Sequence, residues 1–227
     1  RGANLWRINL EEALLDKADL RGCKLDEANL KHATLVQADL TGASLLRTDL
    51  EFADLSSALI NQVNLDESNL KRTLLDGAEM VEVSCEKTDC TELQLNKTKK
   101  LFAHFRMSCL VKANLSGLNL QGFDFRGADL SGCNLQDCNL QKANLENANL
   151  SGALLRNVNL LHTRLSGANL QRIDLQHTQL AHIVLNNTNL EKANFSFASL
   201  NQCNFQEASL RHARFDHTNF LQCNLER

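Results

Sequence analysis

The side chains best suited to metal, redox or nucleophilic chemistry in this 227-residue chain are its eight cysteines and seven histidines. Seven of the cysteines fall in step with the apolar pattern described below and are expected to point inward: Cys23, Cys133, Cys138, Cys203 and Cys223 at a small site, Cys85 and Cys90 at a large one. Cys109 is expected to point outward. Such thiols act as small hydrophobes in a reducing compartment, although Cys203 and Cys223 stand at a spacing that could bring them within disulfide reach. All seven histidines take outward positions. His162 and His182 should stack, but the neighbouring positions hold Lys142 and Gln202, so a third metal ligand is missing. Neither a metal site nor a cofactor is expected. Carboxylates are plentiful, yet they alternate with bases and no apolar pocket is implied around them, as catalytic tuning would need. There is no nucleophile elbow, phosphate-cradling glycine loop or interleaved basic and aromatic stripe. An enzyme is therefore not expected.

What must position these groups is a period of five. The positions numbered in fives from Leu5 to Leu225 are 45, and 42 of them hold Leu, Phe, Ile or Met; only Cys85, Cys90 and Lys100 break the series. Two residues earlier, 39 of 45 positions hold Ala, Cys, Thr, Ser or Val. A helix would rotate each fifth residue by about 140°, winding the leucines round every side. A flat strand would send successive leucines to opposite faces. Both conflicts vanish if the chain turns a corner every five residues and coils about a dry axis.

Surface charge sets the number of corners, because residues one coil apart lie about 4.8 Å apart and should avoid like charge. At a spacing of 20, Arg7, Glu27, Arg47, Glu67 and Lys87 alternate in sign, as do Glu11, Lys31, Glu51 and Lys71, and Arg72, Glu92 and Lys112. Spacings of 15 and 25 pair like charges instead, for example Glu67 with Glu82 and Arg47 with Arg72. Four corners and 20 residues per coil follow. The Asn residues Asn4, Asn64, Asn144, Asn204 and Asn224 share one face and could form side-chain ladders.

The stretches GANL (2–5), GASL (42–45), GADL (127–130), GALL (152–155) and GANL (167–170) resemble the A-(D/N)-L-x-x signature of the pentapeptide-repeat family. The resemblance runs along the whole chain. It implies an all-β, right-handed quadrilateral β-helix of about 11 coils, roughly 55 Å long at about 4.8 Å per coil, and a bacterial source. Family members include topoisomerase-binding DNA mimics and secreted bacterial effectors, and no catalytic residues are defined that could be carried over. Residues 1–227 are read as a single solenoid with a degenerate region at 81–111, and as a fragment of a longer protein.

Composition agrees with an interaction role. The 27 acids and 24 bases give a formal charge of −3, too balanced for a polyanion-binding surface, so direct nucleic-acid binding is disfavoured. No apolar run is long enough to span a membrane and the first residues are repeat sequence, which points to the cytoplasm, or to the host cytosol for a secreted effector. Where the pattern degrades, Lys100 cannot sit buried and unpaired, so a bulge over residues 96–102 should turn it outward and bring Leu101 or Phe102 in. Phe105, Phe123 and Phe125 should add bulk to the interior. Val81, Phe102, Met107 and Val111 form a candidate partner patch beside Glu82, Glu86, Asp89 and Glu92. Trp6 and Phe220 are candidate end contacts, with end-to-end pairing of two copies as the expected self-association. The leading functional reading is a non-catalytic protein-interaction or scaffold domain. The alternatives are a nucleic-acid mimic that binds a type II topoisomerase and the repeat domain of an effector.

Overall fold

A five-residue quintet with one large and one small apolar side chain folds as a short extended piece followed by a bend, and the computed structural model, which describes residues 1–226, shows that arrangement throughout. After each large residue the chain turns: the N–H of Ala28 donates to the Leu25 carbonyl across Asp26 and Glu27 at 3.0 Å. The second corner residue of every quintet from Gly2 to Gln222 has φ between +52° and +73°, except Lys97 and Phe102. Positive φ at this place is what a type II turn demands. No Val, Ile or Thr occupies any of these corners, because a branched Cβ clashes most in the left-handed region, and all ten glycines of the chain are found there.

Successive coils pair in parallel with partners 20 residues apart, as in Asn4 with Lys24, Lys24 with Ser44 and Ser44 with Asn64. Leu25 N–H donates up to Ser44 at 2.7 Å and Lys24 N–H donates down to Ala3 at 2.9 Å. The large residues Leu25, Leu30, Leu35 and Leu40 are fully buried, as are Ala33 and Ala38 at small sites. Each buried leucine contributes roughly 1.5–3 kcal/mol before chain entropy is set against it. Buried Thr48, Thr73, Thr88 and Thr163 at small sites donate their hydroxyls to the carbonyls of Leu25, Leu50, Leu65 and Leu140 in the coil before. A polar atom can thus stay in the core because a carbonyl stands within reach.

The contacts divide into two compact units, Arg1–Asn114 and Leu115–Arg227, each built of the same coils. Unit 1 contains one irregularity. Strand β1 (Glu79–Ser84) pairs with β2 (Lys100–His104), but Glu79 faces Lys100, a spacing of 21, and Val83 faces Ala103, a spacing of 20. One residue is inserted at the 3-10 turn Leu95–Lys97 and removed again by a bulge at Glu82. The expected bulge over 96–102 is instead an insertion at Leu95–Lys97, with the bulge itself at Glu82 of the neighbouring coil; Lys100 does turn outward, and Leu101, not Phe102, takes the place beside Met80. Phe102 stays half exposed. Phe105 is fully buried, as are Phe123 and Phe125 in unit 2. Unit 2 adds three aligned strands, β3 (Gln179–Ala181), β4 (Ser199–Asn201) and β5 (Asn219–Leu221), stacked one per coil.

Candidate functional site

The groups capable of chemistry are mostly disarmed by where the coil puts them. All eight thiols are free. Cys85, Cys90 and Cys133 are buried among apolar side chains, and desolvation pushes their thiols far up, away from the reactive thiolate. Burial pushes Cys138 and Cys203 up to about 11. Cys109 does face outward, beside the Thr91 hydroxyl at 3.3 Å. All seven histidines are exposed. His162 and His182 stack as expected, with ring centroids 5.1 Å apart, and His177, Phe197 and His217 form a second column at 5.0 Å steps. Among the described residues no group of three His, Cys, Asp or Glu side chains is placed to hold a metal ion.

The charged columns form as the spacing of 20 requires. Arg7 meets Glu27 at 2.6 Å, Arg47 meets Glu27 at 3.2 Å and Glu67 at 3.7 Å, and Lys31 meets Glu51 at 2.8 Å. Hydrogen bonds from Arg7, Lys31 and Arg72 hold the Glu27, Glu51 and Glu92 carboxyls below the usual range. Glu79 is clamped by Lys99 at 2.7 Å and by the outward-turned Lys100 at 2.9 Å, which lower it in the same way.

The asparagine expectation needs correction. Asn4, Asn64, Asn144, Asn204 and Asn224 each accept the N–H two residues on, capping the following corner. One coil away from most of them stand Lys24, Ser44, Ser84 and Arg164, so no continuous amide ladder can form on that face. The ladders run elsewhere, through Asn119, Asn139 and Asn159 and through Asp129, Asn149 and Asn169, with amide links of 3.0 Å.

Two places depart from this regular wall. The first is the phase break in unit 1. Val81 and Phe102 face each other across neighbouring coils. Met107 stands at the next corner along the chain and is 50% exposed, as Phe102 is, whereas Val111 stands one corner further. The structure therefore unites Val81 with Phe102 and distributes Met107 and Val111 along the coil. Glu82 and Glu86 lie on the same stretch, with Arg106 near Glu86 at 3.9 Å. Trp6 is exposed with the Arg7 guanidinium 4.1 Å over its ring, and Phe220 is 39% exposed against Phe215.

The second place was not foreseen. Unit 2 holds an open cleft of about 840 Å³ lined by Ala153–Asn159 of one coil and Asp174 and Gln176–Gln179 of the next, with Gln136 beneath. Leu154 is half exposed there. The small-site residues Val158 and Thr178, which the pattern would bury, are partly exposed.

These coils, corners and stacked leucines define a pentapeptide-repeat solenoid. The family model for pentapeptide repeats (8 copies) matches residues 1–31, 23–62, 108–147, 133–172, 168–206 and 203–227, and the chain belongs to that family. Its fold is the right-handed quadrilateral β-helix. The unmatched stretch between 62 and 108 contains the phase break. No curated protein sequence matches the chain. Among solved structures, the chain is similar to HetL, a pentapeptide repeat protein involved in heterocyst differentiation regulation from the cyanobacterium Nostoc sp. Strain PCC 7120, at 27% identity over 96% of this chain and 87% of that one, with a TM-score of 0.38. A pentapeptide repeat protein of the Arabidopsis thaliana thylakoid lumen is 23% identical over 51% of this chain and 67% of its own, at a TM-score of 0.34. QnrB1, a plasmid-mediated fluoroquinolone resistance protein, is 17% identical over 99% and 85%, at a TM-score of 0.35.

Proposed function

We propose that this chain is a non-catalytic protein-interaction or scaffold solenoid that works in the cytosol, recognising another protein through the irregular wall around Val81, Phe102 and Met107. The observation that carries the proposal is the half exposure of Phe102 and Met107 beside the phase break, with charged pairs such as Arg7–Glu27 and Lys31–Glu51 on coils of the same unit. Large apolar side chains set in a polar rim are what a binding hot spot needs. Val111 extends the same wall as a flanking contact.

Affinity capture by the full-length protein, read by quantitative mass spectrometry, tests this directly. A double variant Phe102→Ser and Met107→Glu should lose a partner that Lys142→Ala retains, by about tenfold or more for the loss of one such anchor. Equal recovery of every partner by both variants would end the proposal for this wall. The nucleic-acid-mimic reading fares worse, because a mimic needs concentrated negative charge and Glu27, Glu51, Glu79 and Glu92 are each held by a base. A type II topoisomerase supercoiling assay should proceed unchanged in the protein's presence. Self-association through Trp6 and Phe220 belongs to the same proposal and is read by sedimentation at graded concentration. Among the described residues no helix is long and apolar enough to cross a membrane.

A further inference from the structure

The cleft in unit 2 is a parted seam in the β-ladder. One coil earlier the ladder is intact: Leu135, Asp137 and Leu140 donate to Leu154, Arg156 and Asn159 at 2.9–3.0 Å, and Leu154 and Asn159 donate back to Cys133 and Cys138. One coil later it is intact again, with Leu175 donating to Asn194 and Asn194 to Ile173 at 2.9 Å. Between these, the N–H groups of Gly152, Leu155, Asn157 and Leu160 and the carbonyls of Gln171, Asp174, Gln176 and Gln179 have no protein partner among the described residues. The pairings of residues 154 with 174 and 159 with 179 are accordingly missing from the series. On the two remaining faces the same coils stay joined, Leu165 to Val184 at 2.9 Å and Leu170 to Asn189 at 2.8 Å. The coils are hinged open on two faces around the corner at Arg156 and Asn157.

The parting falls where the small sites are branched. Ile173, Thr178, Ile183 and Thr188 are four consecutive branched residues at the small site, where Ala is the commonest residue. Thr178 lies over Val158 and Ile183 over Thr163, so branched side chains meet across neighbouring coils, and the bond beside the second pair, Val184 to the Thr163 carbonyl, is stretched to 3.5 Å. Behind the parted wall a narrow apolar gap runs along the axis, lined by leucines from Leu145 to Leu185 and by Ile183. Branched residues at facing small sites accompany the parting, and the core does not fill the space.

We propose that this slot takes an extended polypeptide strand from a partner protein, added between the two coils. Each lip offers both kinds of group, the N–H of Leu155, Asn157 and Leu160 with the carbonyls of Ala153 and Val158 on one and the carbonyls of Asp174, Gln176 and Gln179 with the N–H of Asp174 and Gln179 on the other, and an extended backbone in parallel register satisfies them along both of its edges. An added strand exchanges the water on these backbone groups for ladder hydrogen bonds along both of its edges, which gives it its driving force. The slot turns a corner, so the strand carries Asn or Gly at its bend. Arg156 stands exposed on the lip, and an acidic residue just before the bend answers it. This rests on the interaction reading but concerns a different unit and surface from Phe102 and Met107, so loss of one leaves the other standing.

The probe is a fluorescein-labelled decapeptide copying residues 151–160 with Glu at the Arg156 position and its Asn bend retained. Fluorescence anisotropy with the full chain should saturate, and binding should slow amide exchange at Leu155, Asn157 and Leu160. Backbone N-methylation of the peptide at alternate residues should weaken binding by about tenfold or more, as should Arg156→Glu in the protein. A Cys pair at Asn157 and His177 tests the seam itself, since these corners fall within disulfide range only when the coils close to about 4.8 Å. Oxidation of Asn157→Cys/His177→Cys should abolish peptide binding and dithiothreitol should restore it. No saturable binding up to about 1 mM, equal binding by the N-methylated peptide, or undiminished binding by the oxidised variant would each overturn the proposal.

Discussion

Replacing Gly122 by Ala tests the left-handed corner without confounding contacts. Gly122 has φ +72°, its N–H donates to the Gln141 carbonyl at 3.0 Å, and an added Cβ would meet nothing within 4 Å. The substitution therefore alters conformational preference alone. Holding an L-residue in the left-handed region costs about 1–2 kcal/mol, and the stiffer unfolded chain returns about 0.4–1 kcal/mol, so the net loss should be about 1 kcal/mol. Gly122→Val should lose more, since a branched Cβ is worse in this region. Gly77→Ala supplies the comparison: its φ is +73°, but the new Cβ would stand 3.2 Å from the Ser57 hydroxyl, adding a steric cost to the same conformational one. Urea unfolding monitored by circular dichroism measures these differences as shifts in midpoint at unchanged slope. If Gly122→Ala were as stable as the parent, or Gly122→Val as stable as Gly122→Ala, the corner argument would fail.

Three further outcomes follow from particular contacts. Lys100→Ala should change stability by under about 0.5 kcal/mol, because that side chain is exposed, while Leu101→Ala should cost about 2 kcal/mol for the side chain that stands beside Met80; equal effects in thermal melts would mean the inserted residue was misplaced. Thiol titration with a disulfide reagent at pH 8 should modify Cys109 and Cys223, the two partly exposed thiols, ahead of the six buried ones, burial suppressing the thiolates of Cys85, Cys90, Cys133, Cys138 and Cys203; early loss of Cys85 would contradict the core assignment. The carboxyls of Glu27, Glu51, Glu79 and Glu92 are lowered by their bases, so their stabilisation is complete above the ordinary carboxyl value of about 4.3 and is lost as pH falls through the lowered folded values. Melting temperature should decline on acidification below that range, and less steeply in Glu79→Gln; identical pH profiles for the two proteins would refute the clamp by Lys99 and Lys100.

The period of five was sufficient to specify the coil because only a bend every fifth residue reconciles Leu25, Leu30 and Leu35 with one axis. The alternation of Arg7, Glu27 and Arg47 specified the size of the square because charge acts across the ladder at one coil's distance. Lys100 was also legible, since a buried unpaired ammonium has no cheap solution. What escaped notice was conformational. The glycines share one place in the quintet with Arg, Glu, His and Lys, and the common property is a positive φ, which no hydrophobicity pattern reports. The asparagines were misread for a different reason: Asn4 and Asn64 meet Lys24, Ser44 and Ser84 one coil away, whereas Asn139 and Asn159 cap their own corners and still pass an amide bond between coils because Asn follows Asn at a spacing of 20. The grouping of Val81, Phe102, Met107 and Val111 mixes two kinds of nearness, because proximity in sequence within a coil means successive corners, while proximity in space comes from the coil above or below.

The cleft shows how the same pattern encodes its own exceptions. Ala is the commonest residue at the small site, and two runs of the chain hold larger ones throughout: Val83, Thr88, Leu93 and Thr98 in unit 1, and Ile173, Thr178, Ile183 and Thr188 in unit 2. Each coincides with a failure of pairing toward the coil before, at residues 74 and 94 in the first and at 154 and 174 in the second. The two units resolve the excess bulk differently. Unit 1 inserts a residue at Leu95–Lys97, loses the left-handed corners at Lys97 and Phe102, and restores the phase by the bulge at Glu82. Unit 2 inserts nothing, keeps every corner at positive φ, and leaves the strain as an open seam with its donors and acceptors facing each other. An insertion converts bulk into an exposed apolar side chain, whereas a phase kept intact converts it into a slot. The places where this chain departs from its repeat are therefore the places where the repeat becomes a surface that another molecule can distinguish.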